Sequence, residues 1–142
     1  MERKEFLKSA CSICVAIGAG VVLGALESCS NLPIYKTKIS ENKISVPSSI
    51  FEQTDLHIIR PNGFEFDIAL RKVSEGQFTA LLLRCTHADN QLTPTDTSYV
   101  CSLHGSKFDK NGHVVKSPAE KALKRYKTEL VEGNIIIYVS SI

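Results

Sequence analysis

Residues 56–87 read LHIIRPNGFEFDIALRKVSEGQFTALLLRCTH, and the punctuation of this stretch decides the fold. Residues 56–60 form a short run of β-formers, closed by Pro61-Asn62-Gly63. A Pro-Asn-Gly tripeptide between two such runs is a hairpin signature. In residues 64–70, Phe64, Phe66, Ile68 and Leu70 alternate with polar or small residues, the two-residue period of a strand. Ser74-Glu75-Gly76 marks a second turn, and residues 78–84 make a strand that runs straight into Cys85-Thr86-His87. Further along, residues 97–101 read as another short strand, and 126–131 and 134–139 flank Glu132-Gly133 as a closing hairpin. Nothing after the first 29 residues keeps a helical period, and residues 119–125 could form one short turn of helix at most. The expected fold is therefore all-β, with short antiparallel strands in a sandwich or partly open barrel.

The chain has 142 residues, enough for one domain and a short leader but not for two sizeable cores. Its 17 Lys and Arg against 15 Asp and Glu are scattered, so it lacks the basic stripe that a nucleic-acid partner needs. The densest basic segment, KALKRYK at residues 121–127, reads as a solvated edge or turn.

Residues 1–28 have the build of an export signal or membrane anchor: charged at Arg3, Lys4 and Lys8, then apolar from Ala10 to Leu26. The apolar run is short for a permanent span, which wants about 20 residues. Arg3-Lys4-Glu5-Phe6-Leu7-Lys8 resembles a twin-arginine motif with lysine in the second place. Leu26-Glu27-Ser28-Cys29 looks like a bacterial lipobox, with Cys29 as the candidate lipidation site and an uncleaved anchor as the competing reading. Residues 29–42 are expected to be a polar tether, and 43–142 the functional domain, opening on an edge strand near 43–46. Of the five cysteines, Cys11 and Cys14 lie in the leader. If the leader is removed and Cys29 carries lipid, only Cys85 and Cys101 remain free.

Those two sit in segments that break the strand pattern. The first reads Cys85-Thr86-His87-Ala88-Asp89-Asn90, the second Cys101-Ser102-Leu103-His104-Gly105-Ser106-Lys107-Phe108-Asp109. Thiolates are soft donors that select zinc, copper(I) or iron–sulfur clusters, and imidazole suits zinc, copper, iron and nickel. A zinc finger groups two cysteines and then two histidines on a helix, whereas here Cys and His alternate with no helix expected. A tetrahedral zinc site of another geometry is compatible with the same four residues. A disulfide between Cys85 and Cys101 leaves both histidines without a role. His57 and His113 read as surface or satisfied polar residues, and Asp89 and Asp109 as turn caps.

The two segments resemble the cluster-binding loops of the Rieske iron–sulfur family: C-T-H in one loop, C-x-x-H-G in the other, then a serine and an aromatic-Asp pair. Gly112 and Ser117-Pro118-Ala119 resemble the family's third segment over the cluster, with serine in place of its glycine. The likeness covers about residues 43–140. It implies a Rieske-like antiparallel sandwich or partly open barrel with two cluster-binding loops and one [2Fe–2S] cluster per subunit. Cys85 and Cys101 would hold the inner iron, and His87 and His104 the outer one. Two histidine ligands raise such a centre to about −150 to +300 mV. Gly105 would let the backbone turn tightly, and Ser106 would donate towards a bridging sulfide.

The chain departs from the pattern at three places. High-potential members brace their loops with a disulfide, and the matching positions here are Asn90 and Leu103. Those members also carry a tyrosine donor where this chain has Phe108. Sulfur hydrogen bonds are among the levers on potential, so an intermediate or low value is expected.

The resemblance implies one-electron transfer by a carrier tethered to the outer, periplasmic face of a bacterial cytoplasmic membrane. The carrier would be a subunit or partner of a quinol-oxidising or other respiratory oxidoreductase. No independent catalytic site is read in the chain. The alternatives are a ferredoxin-type component of an oxygenase system, which would normally lack an export leader, and a structural zinc domain. An intrinsic oxygenase would need a second iron on two histidines and a carboxylate. Only His57 and His113 remain for it.

Overall fold

The structure is a computed structural model that describes residues 31–139. The leader of residues 1–28, with Cys11 and Cys14, and the lipobox cysteine Cys29 lie outside the described residues. Among the described residues no helix is long and apolar enough to cross a membrane.

Among the described residues eleven strands form two sheets. The larger contains, in spatial order, β1 (Ile34–Thr37), β3 (Leu56–Pro61), β4 (Ile68–Ser74), β5 (Gln77–Leu82), β10 (Arg125–Val131), β11 (Asn134–Tyr138) and β2 (Lys43–Pro47). Its end strands β1 and β2 approach each other, so the sheet curls into a nearly closed barrel. The smaller runs β6 (Thr93–Pro94), β7 (Ser98–Val100), β8 (Lys107–Asp109) and β9 (Val114–Lys116). The all-β class and the barrel agree with the sequence expectation, and the second small sheet adds to it.

Strands β2 and β11 show the simple case, with one face buried. Ile44 and Val46 face Ile137 and Ile135 across an antiparallel pair, all four within the first core. Such β-branched cross-strand pairs are the unit of sheet stabilisation. Strands β3 to β5 differ, because both faces are covered. Ile59, Ile68, Leu70, Ala80 and Leu82 fill the first core inside the barrel. Their neighbours Ile58, Ala69, Leu81 and Leu83 point the other way, into a second core that also holds Cys85, Cys101, Tyr99 and Phe108. Two-sided burial explains the continuous apolar runs at residues 68–70 and 80–83. It also fixes the two Cys/His segments against the barrel wall.

Several boundaries differ from the sequence expectation. Part of the stretch read as a tether, Ile34–Thr37, is strand β1 and pairs in parallel with β3, so not every pairing is antiparallel. The strand expected at 64–70 begins at Ile68 and continues to Ser74. Phe66 is buried in the first core and Phe64 packs against it, so these aromatics anchor the β3–β4 connection instead of a strand. A 3-10 turn at Ser48–Glu52 has no counterpart in the sequence expectation. It buries Phe51 against His57 and Phe78, with ring centroids 4.8 and 5.2 Å away. Residues 119–124 contain no helical turn. His57 lies in β3 as a satisfied polar residue, its Nε2 bonded to the Ile50 carbonyl at 2.7 Å. Asp109 caps its turn, accepting from the amides of Asn111 and His113. Asp89 instead forms an ion pair with Arg84 at 2.9 Å.

Candidate metal centre

The two Cys/His segments fold as twin hairpins. In the first, the Cys85 amide donates to the Asn90 carbonyl at 2.8 Å, and the Asp89 amide donates back to the Cys85 carbonyl at 3.1 Å. In the second, the Cys101 amide donates to the Ser106 carbonyl at 2.8 Å, and the Gly105 amide to the Cys101 carbonyl at 3.0 Å. Each loop is closed by a backbone pair just outside it, Arg84 with Gln91 and Val100 with Lys107. Each also turns on a left-handed residue at the fifth place, Asp89 at φ 47° and Gly105 at φ 76°. Glycine takes that conformation at no steric cost, and Asp tolerates it through its short polar side chain.

The twin loops bring their predicted ligands together in two pairs. Cys85 and Cys101 are free thiols, 0% and 1% exposed, and both belong to the second core. His87 and His104 are exposed, with their rings edge to face and centroids 5.0 Å apart. Soft donors are thus buried against the second core and imidazoles face outwards. Burial pushes the Cys101 thiol up. The Leu103 amide, the Cys85 thiol, the His104 amide and the Asn90 side chain outweigh it, holding that thiol below its ordinary value. Hydrogen bonds to the charged form favour it, and the thiolate is the form that ligates metal. Among the described residues no three His, Cys, Asp or Glu side chains are grouped on one ion. The four here pair two and two.

A third segment closes the site. Ala119 is buried, and its amide donates to Ser106 Oγ at 3.0 Å. Thr86 Oγ1 donates to the Lys121 carbonyl at 2.7 Å, tying the first loop to the same segment. The Ser117–Pro118 peptide is cis. Ser106 is fully buried and uses its oxygen as an acceptor. Its own hydrogen has no acceptor among the described residues, so it remains free for a group held between the loops. Phe108, fully buried in the second core, offers no donor.

Sequence reasoning missed one contact. The sequence marks Asn90 only as the place of an absent cysteine, yet its Nδ2 lies 3.7 Å from Cys101 Sγ. The available signal was its fifth place after Cys85, matching Ser106 after Cys101.

Two buried thiols, two exposed imidazoles and inward-facing donors are the donor set of a two-iron cluster with mixed ligation. The family model of the Rieske [2Fe-2S] domain matches residues 42–127, well over half of the chain. This chain belongs to the Rieske [2Fe-2S] domain family. The domain binds one [2Fe–2S] cluster, which when bound takes up and releases one electron at a time. Among curated relatives, the cytochrome b6-f complex iron-sulfur subunit of Chlorobaculum tepidum is 27% identical over 67 residues. That match spans 46% of this chain and 37% of the relative. Among solved structures, the fold is similar to one in the complex of reduced oxygenase and oxidised ferredoxin in carbazole 1,9a-dioxygenase. There the TM-score is 0.53 at 21% identity, over 72% of this chain and 98% of that one. The plasma-membrane Rieske protein PetC3 of Synechocystis PCC 6803 aligns with a TM-score of 0.47 at 23% identity, over 68% and 85% of the two chains.

Proposed function

We propose that Cys85, Cys101, His87 and His104 are the ligands of the cluster, and that the protein is a tethered one-electron carrier in a respiratory chain. The observation that carries this reading is the pairing of two buried thiols behind two exposed imidazoles. In this arrangement Cys85 and Cys101 hold the inner iron, shielded by the second core. His87 and His104 hold the outer iron and stand between the cluster and any docking partner. Ser106, fully buried beside the second loop, would offer its hydroxyl hydrogen to the cluster.

The carrier works at the outer face of a bacterial cytoplasmic membrane, held by lipid on Cys29 or by an uncleaved leader of residues 1–28. Residues 29–42 link that anchor to the domain of 43–142, with β1 inside the link docked on the barrel edge. Its partner is a quinol-oxidising or other respiratory oxidoreductase. This reading draws on the export-like leader and on the likeness to a cytochrome b6-f iron–sulfur subunit. The leader argues against the ferredoxin component of an oxygenase system, which has no need of export.

An EPR spectrum of the purified, dithionite-reduced protein tests the ligand set. A low average g-value, typical of histidine ligation, is expected in the native protein and should vanish in His87→Ala and His104→Ala. A colourless, zinc-loaded protein would refute the reading. Mass spectrometry of the mature amino terminus tests the tether, with a diacylglyceryl mass on Cys29 or an intact leader as the supporting results. A cleaved, lipid-free terminus would overturn it.

A further inference from the structure

We infer that Asn90 is a positioning residue that joins the two loops without a covalent link and sets the reduction potential through Cys101. This rests on the reading of Cys85 and Cys101 as cluster ligands. Asn90 touches both cysteines by separate groups. Its backbone carbonyl accepts the Cys85 amide at 2.8 Å, and its side-chain Nδ2 donates to Cys101 Sγ at 3.7 Å. The same Nδ2 donates to the Gln91 carbonyl at 3.1 Å. That second bond fixes the orientation of the amide. Turned over, Oδ1 would face a carbonyl oxygen and a sulfur, two acceptors with no hydrogen between them.

A donor to a ligating sulfur stabilises negative charge, and the reduced cluster carries one more negative charge than the oxidised one. The bond is therefore stronger after reduction, and it raises the potential. Among the described residues no other side chain outside the cysteine pair donates a hydrogen bond to the Cys101 sulfur. Asn90 is thus the adjustable donor, reaching across from the first loop to the thiol of the second.

The test is a redox titration of the full chain loaded with its cluster, comparing native protein, Asn90→Leu and Asn90→Asp, with an EPR spectrum of each. Leucine keeps the bulk and removes the donor; aspartate keeps the shape and replaces the donor with negative charge. The expected result is a histidine-ligated spectrum in all three. The equilibrium constant for reduction should be about tenfold smaller in Asn90→Leu, equivalent to about 59 mV for one electron. Asn90→Asp should fall further. A purely structural role would lower the urea midpoint and leave the potential where it was, and that outcome overturns the inference. Should Asn90→Leu not retain its cluster, Asn90→Asp carries the same titration, and an unchanged potential there overturns the inference equally. Absence of a histidine-ligated spectrum in the native protein would instead remove the ligand reading beneath it.

Discussion

Ser106 Oγ accepts the amide hydrogen of Ala119 at 3.0 Å, and both residues are buried. One hydroxyl thus holds the third segment to the second loop, and under the proposed ligand set its own hydrogen would point to the cluster. In Ser106→Ala the Ala119 amide is orphaned in an apolar setting. The expected loss is about 1–3 kcal/mol of stability, read as a lower urea midpoint. The same variant should show a lower reduction potential, because a donor to the cluster's sulfur is gone. A potential equal to the native one would show that the free hydrogen does not reach the cluster.

Phe108 is fully buried in the core that holds Cys85 and Cys101. Phe108→Tyr places a hydroxyl there, and a buried hydroxyl without a partner costs free energy. A cysteine sulfur of the same core is expected to accept it. The expected outcome is a raised midpoint potential at little cost to folding, measured by redox titration beside thermal unfolding. An unchanged or lower potential would count against a sulfur acceptor within reach of that position.

Gly112 has φ +87°, and a Cβ there would lie 3.2 Å from Leu123 Cβ and 3.2 Å from Leu81 Cδ2. Its carbonyl also accepts the Leu123 amide at 2.9 Å. Gly112→Ala combines left-handed strain of about 1–2 kcal/mol with overpacking of the wall behind the site. Thermal unfolding should show a clear drop in Tm, with faster bleaching of the cluster's visible absorbance under urea. Gly63→Ala serves as the comparison, since that position shares the positive φ but has nothing within 4 Å. It should show the strain alone.

Burial holds the His57 imidazole below its ordinary value, and its bond to the Ile50 carbonyl only partly offsets this. A base whose folded pKa is depressed must lose its proton to fold. Its stability contribution is present above the unfolded value of about 6.5 and is lost as pH falls through the lower folded value. Urea midpoints should therefore decline on acidification below about pH 6.5, and His57→Gln should flatten that decline. An equal slope in the variant would assign the pH dependence to other groups.

Much of the site was legible because its chemistry is carried by short segments. Cys85-Thr86-His87 and Cys101-Ser102-Leu103-His104-Gly105 name their donors by residue type alone. Turn residues such as Gly76 and Gly133, both at positive φ, mark hairpins by local sterics. The aromatic alternation at Phe64 and Phe66 misled because periodicity reports which side chains are buried, not whether the backbone is paired. At these positions burial comes from a loop packed on the first core.

The all-β class, the turn positions, and the spacing and donor types of the four Cys and His residues are properties of the sequence by itself. They depend on interactions within a few residues, where side-chain identity and backbone sterics suffice. The tertiary structure alone decided that β1 pairs in parallel with β3, that β3 to β5 serve two cores, and that Asn90 reaches the Cys101 sulfur. Each of these joins distant segments or separate loops, through contacts that exist only once the barrel has closed. The twin loops stand between the two regimes: each closes on its own backbone bonds, but their cysteines meet because one apolar core packs against both.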